Sequence, residues 1–183
     1  MVLPDRAKSA ATLIALGADS ILMGPVSDLG PIDPQFVIGD GGLVAGKAII
    51  AAVEDAERRI QATPESYPLW ASLLADVTAI KVQQARDAIA RSAVLLREAL
   101  SSLSARSPEV VEQLAVALTP PLIDEPTDHG AVFDADDALK CGLPVEKLDP
   151  AASHWRLVWR LWARYAGFEG AVYESAKASQ ILG

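Results

Sequence analysis

Four residues of this chain have side chains suited to acyl transfer: Ser9, Lys47, His129 and Asp33. Ser9 stands between Ala7-Lys8 and Ala10-Ala11, where a short extended stretch gives way to an apolar helical pattern. The first N–H groups of a helix have no intrahelical partner and carry partial positive charge. A small hydroxyl flanked by alanines leaves room there for a substrate carbonyl, and the backbone N–H of Ala10 is a candidate oxyanion donor. The plainer role for such a serine is to cap the helix.

A serine nucleophile needs a base. Lys47 has Val44, Ala48 and Ile49 as neighbours, which would desolvate its amine and lower its pKa, as a lysine base requires. The competing reading is a surface lysine on an amphipathic helix. His129 lies in the polar turn Thr127-Asp128-His129-Gly130, and an imidazole is a side chain suited to general-base work. Alternatively it bonds within its own Asp128–Gly130 turn. Asp33 could orient a base or cap its proline-rich turn, the second being the expectation. Lys8 adjoins the nucleophile, but neighbouring residues on a helix do not face each other, so it is a poor base. It could steer an acidic substrate. His154, beside Trp155, is read as structural.

These residues need elements to position them. Val2-Leu3 reads as a strand end stopped by Pro4, and Lys8 to Leu16 as a helix burying Leu13, Ile14 and Leu16, with Gly17 as its cap. Ser20 to Met23 is a short apolar run bounded by turn residues, hence a buried strand. A loop stiffened by Pro25, Pro31 and Pro34 follows, and Asp40-Gly41-Gly42 breaks the pattern. Helical periodicity predicts a helix from about Leu43 to Gln61, and then one long helix from Leu69 to about Ser104. A helix of that length, apolar over much of its circumference, reads as an arm packing on a second chain. Pro108 opens a helix to about Leu118, which Pro120-Pro121 closes. Asp134 caps a short helix that Gly142 ends. After Asp149-Pro150, Trp155, Trp159 and Trp162 share a helix side, interleaved with Arg156, Arg160 and Arg164. That stripe invites a membrane or nucleic-acid reading, but packing on a second subunit is preferred. Tyr173-Glu174-Ser175 and Ile181-Leu182 belong to an amphipathic tail.

Composition narrows the function classes. The 183 residues, 51% hydrophobic, suffice for one core and a single domain. A net charge of −8 argues against nucleic acid as partner, because phosphate binding needs a basic patch. Cys141 is the one cysteine, so there is no internal disulfide, and no Cys/His cluster has zinc spacing. Asp5, Arg6 and Lys8 interrupt any leader-like start, and Asp19 breaks the longest early apolar run. These features predict a cytoplasmic chain for which a membrane site is not expected. No Gly-X-Gly-X-X-Gly follows a strand, and no cofactor is expected.

The segment Ala7-Lys8-Ser9-Ala10-Ala11, the apolar helix ending Gly17-Ala18-Asp19, and Leu29-Gly30-Pro31-Ile32-Asp33-Pro34-Gln35 resemble the serine dehydrogenase proteinase family. These are relatives of signal peptide peptidase A in the ClpP/crotonase superfamily. The short helix before Gly142-Leu143 resembles the closing element of ClpP-like folds. The resemblance implies an α/β fold with a ClpP/crotonase-like core and a large helical extension, about 43–118. It implies a serine peptidase-like hydrolase acting through a Ser9 acyl-enzyme on a peptide or protein, as a homo-oligomer. It also places Lys47 near the spacing of the relatives' lysine base and His129 near a ClpP triad position. In that family a glycine-rich turn, part of the oxyanion hole, precedes the serine motif. Here the serine is ninth, so the core is expected to be its C-terminal half, as in a fragment, a late start codon or a natural truncation. The alternative is a catalytically inactive, truncated scaffold or oligomerisation subunit of the same fold.

Overall fold

The computed structural model describes residues 1–39, 41–126 and 128–166. Asp40, Thr127 and the tail with Tyr173-Glu174-Ser175 and Ile181-Leu182 lie outside the described residues. The chain is mixed α/β, with helix outweighing three small sheets. β1 (Val2–Leu3), β3 (Ile21–Met23) and β7 (Val145–Lys147) form one sheet in the order β1-β3-β7, all parallel. β2 (Arg6–Ala7) pairs in parallel with β4 (Asp28–Leu29), Ala7 opposite Leu29. Between β2 and β3 runs α1 (Ala10–Leu16). Short parallel strands need a crossover of this kind to return in the same direction.

Helix α1 buries Leu16 and packs a half-buried Leu13 on the core as expected, but Ile14 is 69% exposed, and Thr12 and Ala15 complete the buried face. Thr12, Ala15 and Leu16 stand at i, i+3 and i+4 on one face, and Ile14, two residues from both Thr12 and Leu16, points to the other. Its last carbonyl, Leu16 O, accepts from the Arg106 guanidinium at 2.5 Å, which also donates to Ala18 O just beyond the helix at 2.9 Å and to Leu100 O at 3.2 Å. Those carbonyls have no intrahelical donor, and a planar fork with several N–H groups suits them.

Two expectations about the middle of the chain fail. The residues after the proline loop form an antiparallel hairpin, β5 (Gln35–Ile38) with β6 (Gly42–Ala45), turning through Gly39 and Gly41, both at positive φ. Helix α2 (Gly46–Ala62) therefore begins three residues later than Leu43. The single long helix is two helices, α3 (Tyr67–Leu73) and α4 (Ala79–Ser101), and Thr78 caps the second by accepting from the Lys81 N–H at 3.2 Å.

Much of α4 packs on its own chain. Val82 and Ala85 pack toward the start of α2, while Leu96 and Leu100 join the main core with Leu16, Ile21, Met23 and residues of α5 (Pro108–Thr119). Ile80 and Val94 of α4 stay exposed, at 72% and 44%.

α5 does not stop at Pro120-Pro121. It widens into a π turn over Pro120–Asp124, where Glu125 N–H reaches Pro120 O at 2.9 Å. Prolines lack the N–H that an i→i−4 ladder needs, and the wider turn accommodates them. α6 (Ala135–Lys140) begins at Asp134, which accepts from the N–H groups of Asp136 and Asp137, and ends before Gly142 at φ 87°. α7 (Ser153–Ala166) docks through Trp155, buried against Gly24. A Cβ at Gly24 would lie 2.0 Å from the indole, so only glycine admits that contact. Trp155 thus packs on its own chain rather than on a second subunit, while Trp159 and Trp162 stack 5.0 Å apart. Among the described residues no helix is long and apolar enough to cross a membrane.

Candidate active site

Ser9 links β2 to α1 with φ 52° and ψ −116°, the only non-glycine residue at positive φ among those described. An L side chain in such a conformation costs about 1–3 kcal/mol and persists only where the surroundings impose it. They do so here. The Ser9 N–H donates to Pro31 O at 2.9 Å, and its carbonyl accepts from Leu13 N–H at 3.2 Å. Thr12, fully buried, places its hydroxyl 2.7 Å from Ala7 O and 2.9 Å from Gly30 O. Strand end, helix and return segment are thereby tied together around the serine. The Ser9 side chain makes no capping bond, so the capping role considered from sequence does not use it. Ala10, the first helical residue, is exposed, and its N–H has no partner within the helix by position.

The segment 31–35 gathers the other candidates. Pro31 O holds Ser9; Ile32 N–H donates to Leu122 O at 2.8 Å; Pro34 O accepts from Gly46 N–H at 2.9 Å. Asp33, 6% exposed, does not cap its own turn. One carboxylate oxygen meets His129 Nδ1 and the other accepts from Gln35 Nε2 at 2.5 Å. A carboxylate only accepts, so His129 donates through Nδ1 and its Nε2 is left as the basic nitrogen. His129 side-chain exposure is 40%, and it bonds across the fold rather than within the Asp128–Gly130 turn.

Lys47, next to Gly46, is half-buried rather than on the surface. Its ammonium donates to Asp124 O at 3.1 Å and Pro126 O at 2.8 Å, at the exit of the π turn. Burial pulls its pKa below the ordinary lysine value, and the charges of Asp124 and Asp33 partly offset that. Lys47 and His129 therefore both stand in the electrostatic neighbourhood of Asp33. Two residues of chain span about 7 Å at most, so Asp33 lies within that reach of Pro31, the residue that grips Ser9.

The remaining candidates fall outside this group. His154 is exposed on α7. Lys8 makes a part-buried ion pair with Asp28 at 2.6 Å. Sequence reasoning missed Thr12 and Gln35, the first inside an apolar helix and the second at a strand start, where neither type signals a site. No cluster of His, Cys, Asp and Glu among the described residues could hold a metal ion. Beside the loop carrying His129, a cavity of about 480 Å³ is walled by Pro126, Ala131, Phe133, Lys140 and Cys141 among others. Comparison with protein families, curated proteins and solved structures returned no match for this chain.

Proposed function

We propose that the chain is a serine peptidase-like hydrolase with a ClpP/crotonase-like core, acting on peptide bonds through a Ser9 acyl-enzyme. The observation that carries this reading is the Ser9 backbone. A serine forced into a disfavoured conformation on a sharp strand-to-helix turn, its hydroxyl not engaged in capping, is the geometry that presents a nucleophile clear of both elements. Ser9 Oγ attacks the carbonyl and loses its proton to a base, which passes it to the leaving amine as the C–N bond breaks. The Ala10 N–H supports the oxyanion, and water then releases the acyl group.

The Asp33 contact favours His129 as base, because a carboxylate on Nδ1 fixes the tautomer and steadies the imidazolium. Lys47, with a lowered pKa but two carbonyls on its ammonium, is the second candidate. A fluorophosphonate probe tests the reading. The native protein should label at one site and Ser9→Ala should not label. A folded native chain that resists labelling overturns it.

A catalytically silent scaffold or oligomerisation subunit of the same fold is the second reading. It draws on the apolar side chains that α3 and the start of α4 expose, Leu69, Leu73 and Ile80 at 58–72%. Concentration-dependent self-association without labelling would favour it.

A further inference from the structure

The acyl-transfer reading leaves one buried charged contact unused. Lys8, directly before Ser9, has its side chain 16% exposed and packed over Gly30, where a Cβ would lie 1.8 Å from Lys8 Cδ. Gly30 is not at positive φ, so glycine is required there by the lysine stem and not by the backbone. The ammonium reaches three groups. Asp28 Oδ1 is 2.6 Å away, off the line of a hydrogen bond, so that contact is an ion pair. Ala131 O accepts at 2.8 Å and Leu29 O at 3.4 Å. Asp28 and Leu29 belong to β4, the partner of the strand that leads into Ser9. Ala131 lies two residues after His129, in the loop that also bridges to Leu29 through Phe133.

We infer that Lys8 is a positioning residue, a fixed ammonium that holds the Ser9 turn in register with the His129 loop. This rests on the proposed serine chemistry and deepens it. Both regions need anchoring to one frame, because nucleophile and base come from segments more than a hundred residues apart. Misplacement by about 1 Å costs on the order of 100-fold in rate. The ammonium is held by two hydrogen bonds to carbonyls and one ion pair, and none of these groups belongs to Ser9. Its role is geometric, and substituting it should lower the maximal rate without moving the pH midpoint.

The test uses the full chain with Lys8→Met and Asp28→Asn combined, which removes the pair without stranding either charge. Fluorophosphonate labelling of Ser9 is followed against pH, and the His129 ring N–H is followed by nitrogen-15 NMR, with His154→Gln assigning the two histidines. The expected result is a folded variant that labels about 100-fold more slowly at an unchanged pH midpoint, with the His129 N–H signal lost to solvent exchange. A folded variant with native rate and native His129 signal overturns the inference. A shifted midpoint does so as well, by making Lys8 part of the proton path. Should the double variant not fold, Gly30→Ala displaces the lysine stem with both charges kept, and the same slowing or its absence decides. If the native chain does not label at all, the serine reading falls. The His129 signal then decides the anchoring on its own.

Discussion

Lys8 and Lys47 each bring an ammonium to backbone carbonyls beside the segment 31–35, yet their surroundings differ in kind. Lys8 meets a carboxylate at 2.6 Å, and its stem fills the space that Gly30 leaves. Among the described residues Lys47 donates to two backbone carbonyls, in a half-buried position where loss of water lowers its pKa and more distant carboxylates offset part of the effect. A lysine locked to a carboxylate serves as a fixed part of the frame. A lysine desolvated without such a contact holds its proton less tightly and is equipped for chemistry. The same residue type thus stands in two contrasting settings within one small region.

The largest effect that separates them should come from Lys8→Ala. It strands the buried Asp28 carboxylate, and urea denaturation should show a loss of about 3 kcal/mol. A loss no larger than that of a surface lysine would break the contrast. The glycines beside the two lysines extend it. Gly30→Ala drives a methyl group into the Lys8 stem and should cost about 1–3 kcal/mol. Gly46→Ala meets Phe36 at 3.1 Å and Pro34 at 3.4 Å, both side-chain atoms. Alanine also suits a helix by about 1 kcal/mol, so Gly46→Ala should stay within about 1 kcal/mol of native.

Lys47→Met sharpens the other side. Unfolded, Lys47 titrates at its ordinary 10.5, and folded it titrates lower. Between the two values the unfolded chain binds more protons, so stability rises with pH across that window. The rise should be present in the native chain and flattened in Lys47→Met, by denaturation at a series of alkaline pH values. If Lys47 rather than His129 is the base, Ser9 labelling also climbs through the lowered lysine pKa and is lost in Lys47→Met. If His129 is the base, His129→Asn abolishes labelling and Lys47→Met only weakens it. The smallest effect belongs to Ser9→Gly. Glycine adopts the Ser9 conformation without strain, so thermal unfolding should show the inactive variant about 1 kcal/mol more stable than native. A destabilised Ser9→Gly would contradict a strained turn.

Much of this frame is legible in the residue order, because the signals are local. Ser9 among alanines, the strand before Gly24, the Asp134 cap and the Gly142 stop all depend on neighbours a few residues apart. The failures are equally physical. Leu43, Val44 and Ala45 fit the apolar pattern of the helix that follows, so the hairpin that Gly39 and Gly41 permit merges with it. The break between α3 and α4 hides in continuous apolar periodicity, although Thr78 carried the cap signal. Asp33 and His129 lie 96 residues apart, and no spacing rule joins them. By sequence Lys8 reads only as a helical neighbour of Ser9, whereas its partners lie on another strand and a distant loop.

The segment 31–35 also governs when the site can exist. Its partners arrive from Ser9, Gly46, Leu122 and His129, and each closure fixes a loop of chain before any contact rewards it. Contacts so distant in sequence form late and slowly compared with helices such as α2 and α4, which need only near neighbours. After dilution from denaturant, far-ultraviolet helical signal should therefore return before Ser9 regains reactivity. On heating, reactivity should vanish with the first cooperative loss of structure, since no partial opening that frees any one of those partners leaves the site assembled.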